Sequence, residues 1–194
     1  IQALWKRNGS QEEYKKRERE NSQENQIARK KDRTTNLTDY NIVAERIFKK
    51  CAELNLDVPK ILMEPGRSIV ADAGMTLYSV GTVKVIPGYK NYVSIDGGMT
   101  DNPRYALYGS AYTIYLANRV REDANFNCSV VGRCCESGDI IQENVMLPKP
   151  VRGDIIAVCT TGAYNYSMAS NYNRLTRPPI VMLNNKQDYV AVKR

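Results

Sequence analysis

From residue 76 onward the chain is cut into short runs of β-branched and aromatic residues, and this rhythm restricts the fold more than any other feature. The runs cover 76–86, 92–95, 113–117, 155–159 and 180–183, with turn pairs such as Pro87-Gly88 and Asn184-Asn185 between them. Such side chains suit a pleated, half-buried surface, so residues 76–194 are predicted to form a compact β-domain of modest size. Most of the 13 tyrosines read as half-buried strand residues. Ahead of this domain, residues 39–75 read differently. Residues 39–56 predict a helix, and the apolar run Pro59-Lys60-Ile61-Leu62-Met63 predicts a short buried strand over 60–64. Pro65-Gly66 breaks that strand, and a second helix starts at Ser68. The fold class is therefore mainly β, preceded by an α+β remnant.

Residues 1–38 form a third region. The run Glu12-Glu13-Tyr14-Lys15-Lys16-Arg17-Glu18-Arg19-Glu20 places Glu12/Lys16 and Glu13/Arg17 at the i,i+4 spacing of an exposed helix. Apolar residues are too few for a buried face, so an exposed helix or disorder is expected. Of the 28 Lys and Arg and 21 Asp and Glu, residues 1–50 hold 13 and 8, so the basic surplus is concentrated at the front. Acidic residues interleave there and a single tyrosine gives no stacking platform, which argues against a nucleic-acid arm.

Three phrases bring chemistry to tight turns. Glu64-Pro65-Gly66-Arg67 lies between the expected strand and helix, where free backbone N–H groups and a guanidinium can hold an anion. A plain strand-to-helix turn is the alternative. Cys134-Cys135-Glu136-Ser137-Gly138-Asp139 sets two thiols beside a carboxylate, with Gly132 and Gly138 bending the chain. A thiol there can donate a proton to a carbanion, although buried cysteines at a strand end would read similarly. Gly162-Ala163-Tyr164-Asn165-Tyr166 brings a tyrosine to a third turn. No metal site is expected, because the chain has no histidine and the cysteines are adjacent rather than spaced to chelate.

Together with Asp96-Gly97-Gly98-Met99-Thr100-Asp101-Asn102-Pro103-Arg104 and Ala106-Leu107-Tyr108-Gly109, these phrases make the chain from about 38 to 194 resemble the C-terminal part of the diaminopimelate decarboxylases. The resemblance implies the β-domain of the alanine-racemase-like, fold-type III decarboxylases, plus the last strand and helices of a (β/α)₈ barrel. It divides the chain into 1–38, a charged segment outside the family; 39–75, a barrel remnant; and 76–194, the C-terminal β-domain. It implies pyridoxal 5'-phosphate as cofactor and conversion of meso-diaminopimelate to lysine and carbon dioxide. Glu64 matches the acid facing the pyridine nitrogen, and Gly66 and Arg67 match the phosphate turn. Tyr164 matches a residue touching both cofactor and substrate. Arg67, Arg104, Tyr108 and Glu136 match substrate contacts, and Cys135 the proton donor. Cys135 and Glu136 are expected to reach the site from the second subunit of a homodimer.

The family's Schiff-base lysine, ring-stacking histidine and phosphate loop have no matching phrase here, so the chain reads as a fragment, inactive by itself. The alternative is a non-catalytic relative that dimerises with a full-length enzyme and modulates it. Five cysteines suggest free thiols in a reducing compartment. With no membrane span or secretory segment expected, the reading is cytoplasmic, a plastid being left open.

Overall fold

The structure is a computed structural model and describes residues 2–6, 37–184 and 187–193. Nine strands in these residues form one branched sheet. They are β1 (Gln2–Lys6), β2 (Gly74–Ile86), β3 (Lys90–Ile95), β4 (Ile114–Leu116), β5 (Phe126–Val131), β6 (Ile140–Leu147), β7 (Ile155–Cys159), β8 (Ile180–Asn184) and β9 (Gln187–Val192). The order runs β6-β5-β3-β2-β1-β8-β9, and β7 pairs with both β2 and β4.

The 13-residue β2 is the common strand. Its first half pairs antiparallel with β1 and with β7, and its second half with β3. A register shift between Val80 and Val83 marks the change of neighbour. At that point Gly81 leaves room for Ser94, whose hydroxyl accepts the Thr82 N–H at 2.7 Å and donates to the Thr82 carbonyl at 3.2 Å. Two pairs are parallel, β1 with β8 and β3 with β5; the other pairs are antiparallel. The expected mainly-β class is the observed one.

Alternation along the strands turns Tyr78, Val80, Val93, Ile95, Val130, Ile141, Leu147, Ile156 and Val158 into one buried core. Burying each large apolar side chain is worth about 1.5–3 kcal/mol, so this cluster dominates the stability of the domain.

Two expectations need correction. Residues 2–6 form β1, not the helix or disorder expected across 1–38. The sequence there is Gln-Ala-Leu-Trp-Lys, with a single charge, and the edge of β2 offers unpaired backbone groups to it. The charged run 12–33 lies outside the described residues. The strand expected over 60–64 is absent, and residues 56–66 carry no regular structure. A barrel strand exists only when neighbours complete its ladder, and none of the described strands lies beside this segment. The helices fall near their expected places: α1 (Leu37–Glu53), then the single turn α2 (Arg67–Val70) continued by a 3₁₀ turn at Ala71–Ala73. Along α1 and the segment after it Val43, Phe48, Leu54, Leu56, Leu62 and Ile69 are all exposed.

Candidate functional site

The short helix α3 (Arg104–Tyr108) follows Pro103 and stops at Gly109, whose positive φ of 61° closes the helix in the left-handed conformation. Arg104 and Tyr108 are four residues apart and so share a face. The Arg104 guanidinium carbon lies 5.1 Å from the centre of the Tyr108 ring and 5.5 Å from that of Tyr164, a cation held between two π faces. Its Nη1 makes only a long contact of 4.0 Å to the Met168 sulfur. Its Nε is buried without a hydrogen-bond acceptor, and no described carboxylate forms an ion pair with it.

Tyr164 takes part through a backbone conformation unusual for a bulky residue, with φ of 69°. Its carbonyl is held by the Met168 N–H at 2.9 Å and the Ser167 hydroxyl at 3.2 Å. The phenol then lies against Gly66, where an added Cβ would sit 2.2 Å from the tyrosine oxygen and would push the ring aside. Behind this contact two more glycines allow backbones to touch. A Cβ on Gly162 would lie 2.1 Å from the Val70 carbonyl, and one on Gly74 2.4 Å from the Gly162 Cα. The Gly162 N–H donates to Ala71 and the Thr161 N–H to Gly74, at 2.9 and 3.1 Å.

Four of the expected site residues, Gly66, Arg104, Tyr108 and Tyr164, are thus brought together from three separated phrases. Arg67 follows at the head of α2 and is half-buried. Glu64 stands exposed on the unpaired segment.

Cys135 and Glu136 occupy a different place. Both are exposed on the turn between β5 and β6, and neither forms a hydrogen bond, ion pair or ring contact with the arginine–tyrosine group. Glu136 instead closes its own turn, its carboxylate accepting the Gly138 N–H at 3.2 Å and the Ser137 hydroxyl at 3.3 Å. Under this turn is Asp139, 4% exposed. One of its oxygens accepts the Met99 N–H at 2.6 Å and the other the Cys134 N–H at 2.7 Å. Burial first, then the Asp139 charge, pushes the Cys134 thiol up to about 11.

A second carboxylate, Asp101, is buried beside this network. It accepts the Tyr78 hydroxyl at 2.5 Å, the Gly98 N–H at 3.1 Å and the Thr100 hydroxyl at 3.1 Å. Burial raises its pKa, and the three donors only partly offset that. Sequence reasoning assigned no role to Asp139, Asp101 or Tyr78. The available signal was the pair of glycines, Gly98 and Gly132, whose absent side chains leave the space that Asp139 fills. Among the described residues no acidic or thiol cluster suits a metal ion, and no helix is long and apolar enough to cross a membrane. None of the five cysteines is in a disulfide.

Residues 68–162 match the family model of the pyridoxal-dependent decarboxylase C-terminal sheet domain. The chain is 45% identical over 164 residues to diaminopimelate decarboxylase of Bacillus subtilis, covering 84% of this chain and 37% of that protein. It is 49% identical over 148 residues to the enzyme of the same name from Halalkalibacterium halodurans, covering 76% and 34%. Among solved structures it resembles diaminopimelate decarboxylase of Helicobacter pylori complexed with L-lysine, with a TM-score of 0.66 and 35% identity over 84% of this chain and 38% of that one. The chain therefore spans little more than a third of the length of these relatives.

Proposed function

Residues 68–162 belong to the C-terminal sheet domains of the pyridoxal-dependent decarboxylases, and from that membership we propose that the chain is the sheet-domain portion of an enzyme converting meso-diaminopimelate to L-lysine and carbon dioxide. One observation carries the reading: Arg104 is held between Tyr108 and Tyr164 with a buried Nε that has no acceptor. A buried N–H with no acceptor is costly, and a ligand carboxylate supplies what the guanidinium lacks. Diaminopimelate has such a carboxylate on its distal amino-acid head, beside an ammonium that Glu136 is suited to receive.

The residues present fit part of pyridoxal 5'-phosphate. The guanidinium of Arg67 and the glycine turn at Gly66 suit its phosphate, the exposed carboxylate of Glu64 suits a protonated pyridine nitrogen, and Tyr164 joins the two turns. When bound, the pyridoxal ring supplies the electron sink that takes up the pair left as carbon dioxide departs. The chain's own residues do the rest. Arg104 and Glu136 fix the distal head and so orient the reacting carbon. Cys135 Sγ gives a proton to that carbon, which returns a stable amine.

Because Cys135 and Glu136 stand apart from Arg104 in one chain, the reading places them in the site of a second subunit, in a homodimer with shared sites. The exposed apolar side chains of 42–70 are then the surface against which the rest of a (β/α)₈ barrel packs. Cysteines without disulfides suit a reducing compartment such as the cytoplasm.

The test is lysine formation from meso-diaminopimelate with added pyridoxal phosphate, by this chain alone and mixed with a separately expressed barrel half of a relative. Lysine from the mixture, lost when Arg104→Leu or Cys135→Ala is present in every subunit, is the expected result. Lysine from neither sample, when the mixture forms a complex, would overturn the reading.

A further inference from the structure

Asp139 has features that a mere turn residue does not need. It is 4% exposed, no described lysine or arginine forms an ion pair with it, and Gly98 and Gly132 close around it so tightly that a Cβ on Gly132 would lie 2.1 Å from its carboxylate. An ionised carboxylate at such a place is costly unless strong donors satisfy it. Here each oxygen has one: Met99 N–H on Oδ1 at 2.6 Å and Cys134 N–H on Oδ2 at 2.7 Å. Both distances are in the short range of charge-assisted bonds.

The two donors come from different parts of the molecule. Cys134 leads directly into the Cys135-Glu136 turn. Met99 lies in the loop that ends at Arg104. That loop is also tied to the Tyr164 segment, because the Ser170 N–H donates to the Thr100 carbonyl at 2.7 Å. Two backbone bonds run beside the carboxylate: Arg133 N–H to the Gly97 carbonyl at 3.0 Å joins the same two loops, and Gly132 N–H to the Asp139 carbonyl at 2.8 Å closes the turn itself.

We propose that Asp139 is a positioning residue: its carboxylate locks the Cys135-Glu136 turn to the loop that carries Arg104, so that the two groups of site residues keep a fixed relation within one chain. The importance of that relation rests on the decarboxylase reading, since it would tie one subunit's own site to the turn it lends its partner. The lock itself does not depend on that reading. A carboxylate suits the place because two N–H groups need two acceptor oxygens; an asparagine has a single acceptor oxygen, and its NH₂ would face the other donor.

The experiment is site-resolved amide hydrogen exchange on the intact chain, comparing wild type with Asp139→Asn and Asp139→Ala. Asp139→Asn should lower protection roughly tenfold at one of the Met99 and Cys134 amides and keep it at the other; Asp139→Ala should lower it at both, with Val130 and Val158 unchanged. An unspecific structural role would not produce that one-amide, two-amide pattern. Unchanged protection at both amides would overturn the proposal, and so would a loss spread evenly over the core strands. Should both variants fail to fold, the wild type decides. Its Met99 and Cys134 amides should exchange at least about tenfold more slowly than those of Cys135 and Ser137 on the same turn, and equal rates would overturn the lock. Lysine formation plays no part in this readout, so a failure of the decarboxylase reading leaves it intact.

Discussion

Ile156 and Ile69 are the same residue in opposite circumstances. Ile156 is fully buried in β7, between β2 and β4, whereas Ile69 on α2 is 67% exposed. The contrast extends to their surroundings: Val93, Val130 and Val158 are all 0% exposed, while Leu62 is 79% exposed. Hydrophobicity alone does not distinguish these regions. What differs is whether hydrogen-bonded neighbours exist to cover the residue, and for Ile156 they come from distant parts of the chain, Tyr78 on β2 and Leu116 on β4. The segment 42–70 has the apolar content of a core element without a core among the described residues.

The comparison can be tested in order of expected effect. Ile156→Ala should cost about 2–5 kcal/mol in urea unfolding, the usual penalty for a cavity in a close-packed core. Gly162→Ala addresses the joint between the two regions: its Cβ meets backbone rather than a movable side chain, so a loss of about 1–3 kcal/mol and a displaced Tyr164 are expected, read by melting temperature and by crystallography. Asp154→Asn probes the sheet's edge and should cost about 1–2 kcal/mol at neutral pH. Burial pulls the Asp154 carboxyl upward, but the Val151 N–H at 2.8 Å, Asn118 at 2.9 Å and Arg119 at 3.0 Å outweigh it and leave it lowered. A lowered carboxylate contributes its full stability above its ordinary value and loses it as pH falls through the folded one. The gap between wild type and variant should therefore narrow on acidification, in unfolding curves taken from about pH 6 to about pH 2.5. At the small end, Leu62→Ala and Ile69→Ala should each change stability by less than about 0.5 kcal/mol. A cost comparable to that of Ile156→Ala would break the comparison.

The same contrast explains what the sequence revealed. Strands β2, β3, β4, β7 and β8 were legible because β-branched residues crowd their runs. Strand β6 was not, since Gln142, Glu143 and Asn144 interrupt its apolar pattern. In the structure Glu143 is there to bind Lys90 at 2.6 Å and Tyr105 at 3.1 Å, long-range partners that no local window contains. The run at 60–64 failed in the opposite way, with a strand-like pattern and no adjacent strand. The grouping of Gly66, Arg104, Tyr108 and Tyr164 was anticipated through resemblance, not spacing. Asp139 was invisible because one of its two donors is 40 residues away and both are backbone amides, which carry no sequence signature.

The place of β2 at the centre of the branched sheet has a kinetic consequence. Its residues can pair with β3 almost as soon as they are made, and with β1 on one edge, but Met75–Ser79 must wait for Ile155–Cys159 before the antiparallel neighbour on their other edge exists. At a synthesis rate of roughly 5–20 residues per second, that interval lasts from about four to about sixteen seconds. For that time the strand that later organises the whole sheet has an open edge on a nascent chain. Such non-local pairing puts the domain among slow folders, with relaxation in the millisecond-to-second range, and makes the newborn β2–β3 hairpin the species most exposed to wrong partners.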